Sequence, residues 1–297
     1  MHGTTPGFRA DPAARLADLE RQRPEWQAWL RLLGEVLCVL DDPAWSAPLA
    51  DGGLDGATGP GSPGDPLLNA RVLVVDARRL RRLVHRLIET ASAAGGAGAG
   101  SLAGYRPSSD TAVHLLAVAL RHDRAGISGV AASAGVDAGV LETVARLAAV
   151  PLLHSCGRLL QDEVPLSWPH GYCPICGSWP LLAELRSLGR TRRLRCGRCG
   201  GDWRVNWLCC PYCGEKDHER LGALVLDGKP ETLTVETCSR CLGYLKSVTT
   251  LQAIAPFELL LRDLETVELD VAAIDRGYAR PRGDGFPLDL RLAVGSP

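Results

Sequence analysis

Eight of the chain's eleven cysteines fall into four C-x-x-C pairs, Cys173/Cys176, Cys196/Cys199, Cys210/Cys213 and Cys238/Cys241, and nothing else in the sequence restricts the fold as strongly. Two cysteines separated by two residues can turn both sulfurs toward one ion inside a tight backbone knuckle, and two knuckles complete a tetrahedral thiolate site. Nineteen residues lie between Cys176 and Cys196, inside the roughly 15 to 20 of a metal ribbon. Twenty-four lie between Cys213 and Cys238, still a hairpin's worth. Sequential pairing into two sites is therefore expected over an interleaved one. Gly177, Gly200, Gly214 and Gly243 follow the knuckles, where a positive φ lets backbone N–H groups approach sulfur. Eight unconnected thiols would be an oxidation hazard with no reason to pair.

The remaining cysteines carry less weight. Cys209 abuts Cys210, but neighbouring side chains on a strand point to opposite faces, so it reads as a non-ligand. Cys38 and Cys156 sit in apolar helical stretches and read as core residues. His154, His170 and His218 read as packing or surface residues, because sulfur already fills the sites. Four thiolates suit either zinc or a single iron. With four protein ligands no position is left for water or substrate, so hydrolase chemistry at these centres is disfavoured.

Composition narrows the class further. Hydrophobic residues make up 46% and charged residues 23% of 297, the balance of an ordinary folded protein, and that length favours two domains. The amino terminus shows no signal-peptide stretch and no run of 18 apolar residues occurs, so a cytoplasmic protein without membrane insertion is expected. In a reducing compartment C-x-x-C pairs bind metal or do redox chemistry. The net charge of −1 gives no global field for a polyanion. Locally, Arg186, Arg190, Arg192, Arg193, Arg195, Arg198 and Arg204 face only Glu184 and Asp202 between positions 173 and 213, with Trp179, Trp203 and Trp207 nearby. The expected reading is a solvated hairpin whose aromatics shield the metal; a nucleic-acid surface is the sharper alternative. Nucleotide-binding and serine-hydrolase motifs are absent.

The texture of the chain changes near residues 167–171. Before it, apolar residues recur at helical spacing from 11 to 40, with Pro24 starting a second helix, and again from Leu68 to Ala94, a helix whose stripe includes Leu73 and Val74. Residues 50–65 read as a loop and 93–104 as a flexible connection. Ser108, Ser109 and Asp110 offer N-caps for a helix through Leu120, and Asp137 precedes a segment to Gln161 interrupted by Pro151. A helical bundle over 11–163 is expected. Afterwards come short strand-like stretches, 202–208 and 232–237, poor in apolar residues, where bound metal would supply stability. Helical spacing returns from Pro256 to Tyr278. Glu258, Asp263, Glu265, Glu268, Asp270 and Asp275 make that segment acidic, as a solvated face or, more sharply, a partner surface. The chain thus divides into 1–167, a helical domain; 168–208 and 209–255, two metal modules; and 256–297, a C-terminal helix and tail. The fold class is α+β.

The runs Gly171-Tyr-Cys-Pro-Ile-Cys-Gly-Ser-Trp-Pro180, Arg195-Cys-Gly-Arg-Cys-Gly-Gly-Asp-Trp-Arg204, Cys210-Pro-Tyr-Cys-Gly214, Glu236-Thr-Cys-Ser-Arg-Cys-Leu-Gly-Tyr-Leu-Lys246 and Asp275-Arg-Gly-Tyr-Ala-Arg280 resemble the formate dehydrogenase accessory protein family, FdhE. The resemblance spans roughly residues 150–281. It implies a helical amino-terminal domain followed by two rubredoxin-like modules, with iron favoured over zinc and all eight knuckle cysteines as ligands. It also implies a cytoplasmic, non-catalytic factor that binds the catalytic subunit of formate dehydrogenase during maturation, before export or membrane assembly. Alternatives of other classes are a rubredoxin-like electron-transfer protein and a nucleic-acid-binding zinc ribbon. Self-association into a homodimer is left open by the sequence. The Gly-rich stretches at 51–65 and 93–104 have no counterpart in the resemblance.

Overall fold

The computed structural model describes residues 12–45, 49, 62–228, 231–283 and 285–295; most of the loop expected over 50–65 lies outside them. Helices α1 (Pro12–Gln22), α2 (Gln27–Leu37), α3 (Ala77–Ala94), α4 (Ser109–Leu120), α5 (Arg124–Ala134) and α6 (Ala138–Leu160) build the first part. Their starts are set by short polar side chains that satisfy free backbone N–H groups. Asp76 accepts from Arg78 and Arg79, Ser108 from Thr111, Asp123 from Gly126 and Asp137 from Val140. Pro24 opens a 3₁₀ turn leading into α2.

Three local expectations give way to tertiary packing. Pro151 does not interrupt α6, which runs through it with Val150, Leu152, Leu153 and Cys156 all buried; burial on several sides outweighs one missing N–H. The stretch 93–104 is a built turn rather than a loose connection, with Ala99 and Leu102 buried against α3. Leu73 and Val74 lie not on a helix but on strand β1 (Val72–Val75), which pairs in parallel with β8 (Arg291–Val294). Arg121, which caps the end of α4, donates to the Leu290 carbonyl at 2.6 Å and helps seat that returning strand. Cys38 is exposed at the end of α2 and is not a core residue, whereas Cys156 is fully buried. One turn of helix separates burial from exposure, and hydrophobic spacing alone placed Cys38 on the wrong side of it.

The cysteine-rich part forms one six-stranded sheet from β2 (Leu182–Arg186), β3 (Thr191–Arg195), β4 (Asp202–Arg204), β5 (Leu221–Leu224), β6 (Leu233–Cys238) and β7 (Tyr244–Thr250), in the order β4-β3-β2-β7-β6-β5. Each module supplies three strands in the same relative order. They join where β2 lies parallel to β7, Leu182 opposite Lys246. Of the expected strand segments, 202–208 shortens to β4 and 232–237 corresponds to β6. Strands β2, β3 and β7 carry charged residues that mask an apolar strand pattern. Glu184 is fully buried in β2, held by Arg186 and Arg195, and Arg195 also donates to the Ile254 carbonyl at 2.8 Å. Arg193 and Arg186 both reach Asp202, and Arg192 reaches Glu236 at 2.5 Å. The basic stretch is thus mostly turned into the sheet and its ion pairs, with Arg190 and Arg204 exposed. A solvated or polyanion-binding hairpin needs those charges outward.

The segment after Pro256 is two helices, α7 (Pro256–Glu265) and α8 (Val267–Asp275), that meet at Thr266. Its acidic residues are neither all solvated nor all free for a partner. Asp263 and Asp270 both contact Lys246 Nζ at 2.6 Å and Arg280 Nη2 at 2.8 and 2.9 Å, and Asp270 accepts from the Tyr244 hydroxyl at 2.7 Å. Lys246 is buried, so its ammonium needs these carboxylates. The Tyr-Leu-Lys and Gly-Tyr-Ala-Arg runs therefore clamp both helices onto β7. Burial works to raise Asp270, but Arg280 and Lys246 outweigh it and hold its carboxyl below the ordinary 3.8. A depressed carboxylate contributes stability that is complete above its unfolded value and lost as pH falls through its folded one. Urea midpoints between pH 6 and pH 3 should therefore fall more steeply for the wild type than for Asp270→Asn. At pH 7 the variant should be less stable by about 2 kcal/mol.

Candidate metal centres and family kinship

The fold gathers the eight cysteines into two groups of four, Cys173, Cys176, Cys196 and Cys199 (centre 1) and Cys210, Cys213, Cys238 and Cys241 (centre 2), the sulfurs of each lying within 4.8 Å of one another. Within them Cys173–Cys199 and Cys176–Cys196 approach to 3.5 and 3.4 Å, and Cys210–Cys241 and Cys213–Cys238 to 3.7 Å. A tetrahedral ion with sulfur at roughly 2.3 Å sets its ligands about 3.8 Å apart. The spacing fits such an ion and is longer than a disulfide. The interleaved pairing does not occur, and Cys209 belongs to neither group.

Four repetitions of one backbone device place these sulfurs. The N–H of Cys173, Cys196, Cys210 and Cys238 donates to the carbonyl five residues on, at Ser178, Gly201, Glu215 and Gly243. In the first three knuckles the residue after the second cysteine, Gly177, Gly200 or Gly214, has φ of 72 to 73° and donates back to the first cysteine's carbonyl. The fourth differs from expectation. Positive φ falls on Leu242, at 55°, and not on Gly243. Gly243 is needed for another reason, since a Cβ there would meet the Tyr212 ring at 2.7 Å and the Cys241 sulfur at 3.1 Å. Left-handed backbone costs a leucine roughly 1–2 kcal/mol, and the Leu242 side chain is exposed. Leu242→Gly should thus raise stability by about 0.5–1 kcal/mol after its extra chain entropy, read as a higher urea midpoint.

The centres differ in their surroundings. Cys173, Cys176, Cys196 and Cys199 are at most 2% exposed and belong to the main hydrophobic core, with Leu160, Leu194 and Trp203. The first knuckle is fixed by Leu67 and Leu68, which donate to the carbonyls of Pro174 and Ile175 at 2.7 and 3.0 Å. Against the second knuckle α6 presents Gly157, whose missing side chain lets the helix lie on the Cys199 carbonyl. In centre 2, Cys213 is half-buried and Cys241 exposed. Burial pushes the Cys173 and Cys199 thiols far up, while hydrogen bonds from Cys173 and its neighbours pull Cys176 down. Four adjacent thiolates in that environment need a cation, and taking one up releases protons.

The histidines stay outside both groups. His154 is buried beside the second knuckle and burial pulls it down to about 4. His170 stacks on Tyr172 at 4.8 Å, and His218 is exposed. A cluster of rings that spacing arguments did not assemble links the centres: Tyr172, next to Cys173, lies 6.2 Å from Trp179, which packs edge-on at 5.5 Å against Tyr212 of the third knuckle. No described helix is long and apolar enough to cross a membrane.

No family model matches the chain. Among curated proteins it is 34% identical over 111 residues to an FdhE homologue of Stutzerimonas stutzeri, covering 36% of this chain and 35% of that protein. It is 34% identical over 114 residues to an FdhE homologue of Pseudomonas aeruginosa, 36% of this chain and 37% of that protein. A homologue from Aquifex aeolicus matches at 25% over 154 residues, 50% and 54% of the two chains. The matched stretch thus spans about a third of the length of the first two relatives. The crystal structure of the FdhE protein from Pseudomonas aeruginosa superposes with a TM-score of 0.53 at 21% identity over 97% of both chains, so the fold is shared along nearly the whole length. The chain is thus similar in sequence to FdhE homologues over about a third of its length and, with helices followed by two ribbon-like cysteine modules, shares its overall fold with the FdhE protein of Pseudomonas aeruginosa.

Proposed function

We propose that this chain is a non-catalytic accessory factor for the production of active formate dehydrogenase. In this reading the eight knuckle cysteines ligate two ions, iron or zinc, that make the 168–208 and 209–255 modules rigid. The modules and the helical domain, 1–167, then present a surface to the enzyme's catalytic subunit in the cytoplasm before export or membrane assembly. The single observation that carries the proposal is kinship with the FdhE homologues. It is supported by the grouping of four sulfurs at each centre, since four protein ligands leave an ion no position for a substrate. Co-purification from the native host should recover the formate dehydrogenase catalytic subunit with the wild type and lose it after Cys→Ser changes at either centre. Full recovery by a metal-free variant would count against the proposal.

A second reading, electron transfer through iron, is favoured by the exposed Cys241 edge of centre 2 and by the ring contacts that lead from it toward centre 1. Anaerobically purified protein should then show thiolate-to-iron absorption that bleaches and returns through one-electron cycles. Zinc at full occupancy of both centres would end that reading.

A further inference from the structure

The two modules repeat one another closely enough that equivalent positions can be compared. Two residues after the second cysteine of the leading knuckle stand Ser178 in the first module and Glu215 in the second; between the cysteines of the trailing knuckle stand Arg198 and Arg240. Backbone geometry confirms the equivalence, because Ser178 and Glu215 each accept the N–H of the leading cysteine at 2.8 Å. Their side chains do opposite things.

In the first module Arg198 Nη1 lies 3.2 Å from Ser178 Oγ, which lies 3.4 Å from Cys176 Sγ. With the sulfur as thiolate, the arginine donates to the hydroxyl and the hydroxyl donates to sulfur. Arg198 has no carboxylate within ion-pair distance among the described residues; its other contacts are the Ala119 carbonyl and His122. Its charge therefore faces the cluster uncompensated. In the second module Arg240 is exposed and lies 3.6 Å from Glu215 Oε2, which Arg220 also approaches at 3.4 Å. A carboxylate has no proton to give to sulfur, and it neutralises the arginine.

Four thiolates around a divalent ion carry a net charge of about −2. A centre of that charge is stabilised by a relayed hydrogen bond with a cation behind it, and a carboxylate at the equivalent position, paired with the arginine, supplies no such proton and cancels the cation's charge. We propose that Ser178 with Arg198 and Glu215 with Arg240 set the two centres apart, so that centre 1 retains its ion and centre 2 exchanges its ion with the surroundings. The inference rests on the reading that both clusters bind ions, and goes beyond it by assigning the difference to one pair of equivalent positions. The exposure of Cys241 and the burial of all four centre 1 cysteines act in the same direction.

The test is ion release from full-length protein loaded with two equivalents of zinc, followed with a chromogenic chelator. The wild type should release one ion in a fast phase and one in a slow phase. Glu215→Gln keeps an oxygen for the backbone N–H groups of Lys216 and Asp217 that the carboxylate now accepts and removes the charge. It should slow the fast phase alone. Ser178→Ala, a smaller side chain with no proton to donate, should speed the slow phase alone. Residues that touch metal ligands commonly change affinity by roughly 10–100-fold, and about tenfold is expected for each variant. A single phase in the wild type, or a Glu215→Gln fast phase that is unchanged or faster, would overturn the proposal. Protein that takes up no zinc at all would instead remove the underlying metal reading.

Discussion

Cys176→Ser is expected to abolish the cooperative folding of the cysteine-rich half, whereas Cys241→Ser is expected to leave the chain folded and lacking one ion. Both replace one sulfur ligand by a hydroxyl, so chemistry alone predicts similar outcomes. The surroundings decide otherwise. Centre 1 lies inside the main core, continuous with α6 and Trp203, and carries knuckles on which residues 67–68 and Gly157 are seated. A structural ion of this type contributes roughly 10–16 kcal/mol of apparent binding free energy, about the whole net stability of a typical protein at 5–15 kcal/mol. Losing it would also strand three buried sulfurs. Centre 2 lies toward the surface, with Cys241 exposed, and the β6–β7 hairpin beside it is also held by its own backbone ladder. Near-UV circular dichroism, limited proteolysis and bound-metal content separate the cases. A Cys176→Ser protein with native spectra and wild-type urea unfolding would show that centre 1 is not part of the core.

Gly157→Ala should destabilise the protein by about 3 kcal/mol although alanine is the better helix former. A Cβ at Gly157 would lie deep inside the van der Waals envelope of the Cys199 carbonyl oxygen. Neither side can give way easily: α6 is packed over most of its length, and moving Cys199 pulls its sulfur off the cluster. The variant should therefore also bind metal more weakly at centre 1. Gly129→Ala is the control. Gly129 is exposed on α5 and a Cβ there meets nothing within 4 Å, so the same substitution should stabilise by about 0.5–1 kcal/mol. Urea unfolding of both variants checks the pair. Equal effects at the two positions would mean that helix propensity, and not the approach of α6 to the knuckle, governs Gly157.

The parts of the site legible in the sequence are those whose geometry closes within a few residues. A C-x-x-C knuckle is held by hydrogen bonds spanning four or five positions, so spacing sufficed to identify which sulfurs gather into each group. Helix starts at Ser108 and Asp137 were readable for the same reason, the cap bond reaching three residues ahead. The signal failed where a charge was satisfied from far away. Glu184, Arg192 and Arg195 belong to a stretch that reads as a solvated hairpin, yet they are buried, as is Lys246, because their partners arrive from other strands or from α7 and α8.

Local chain geometry determined that this protein carries two four-sulfur groups behind a helical segment, since adjacent residues dictate where each sulfur points. Only the tertiary structure decided that the modules share one sheet through β2 and β7, and that β1 finds its partner about 220 residues later in β8. It alone also decided that one sulfur group lies in the core while the other reaches solvent. Burial and long-range pairing are properties of how distant segments fill space together, and no window of neighbouring residues contains them.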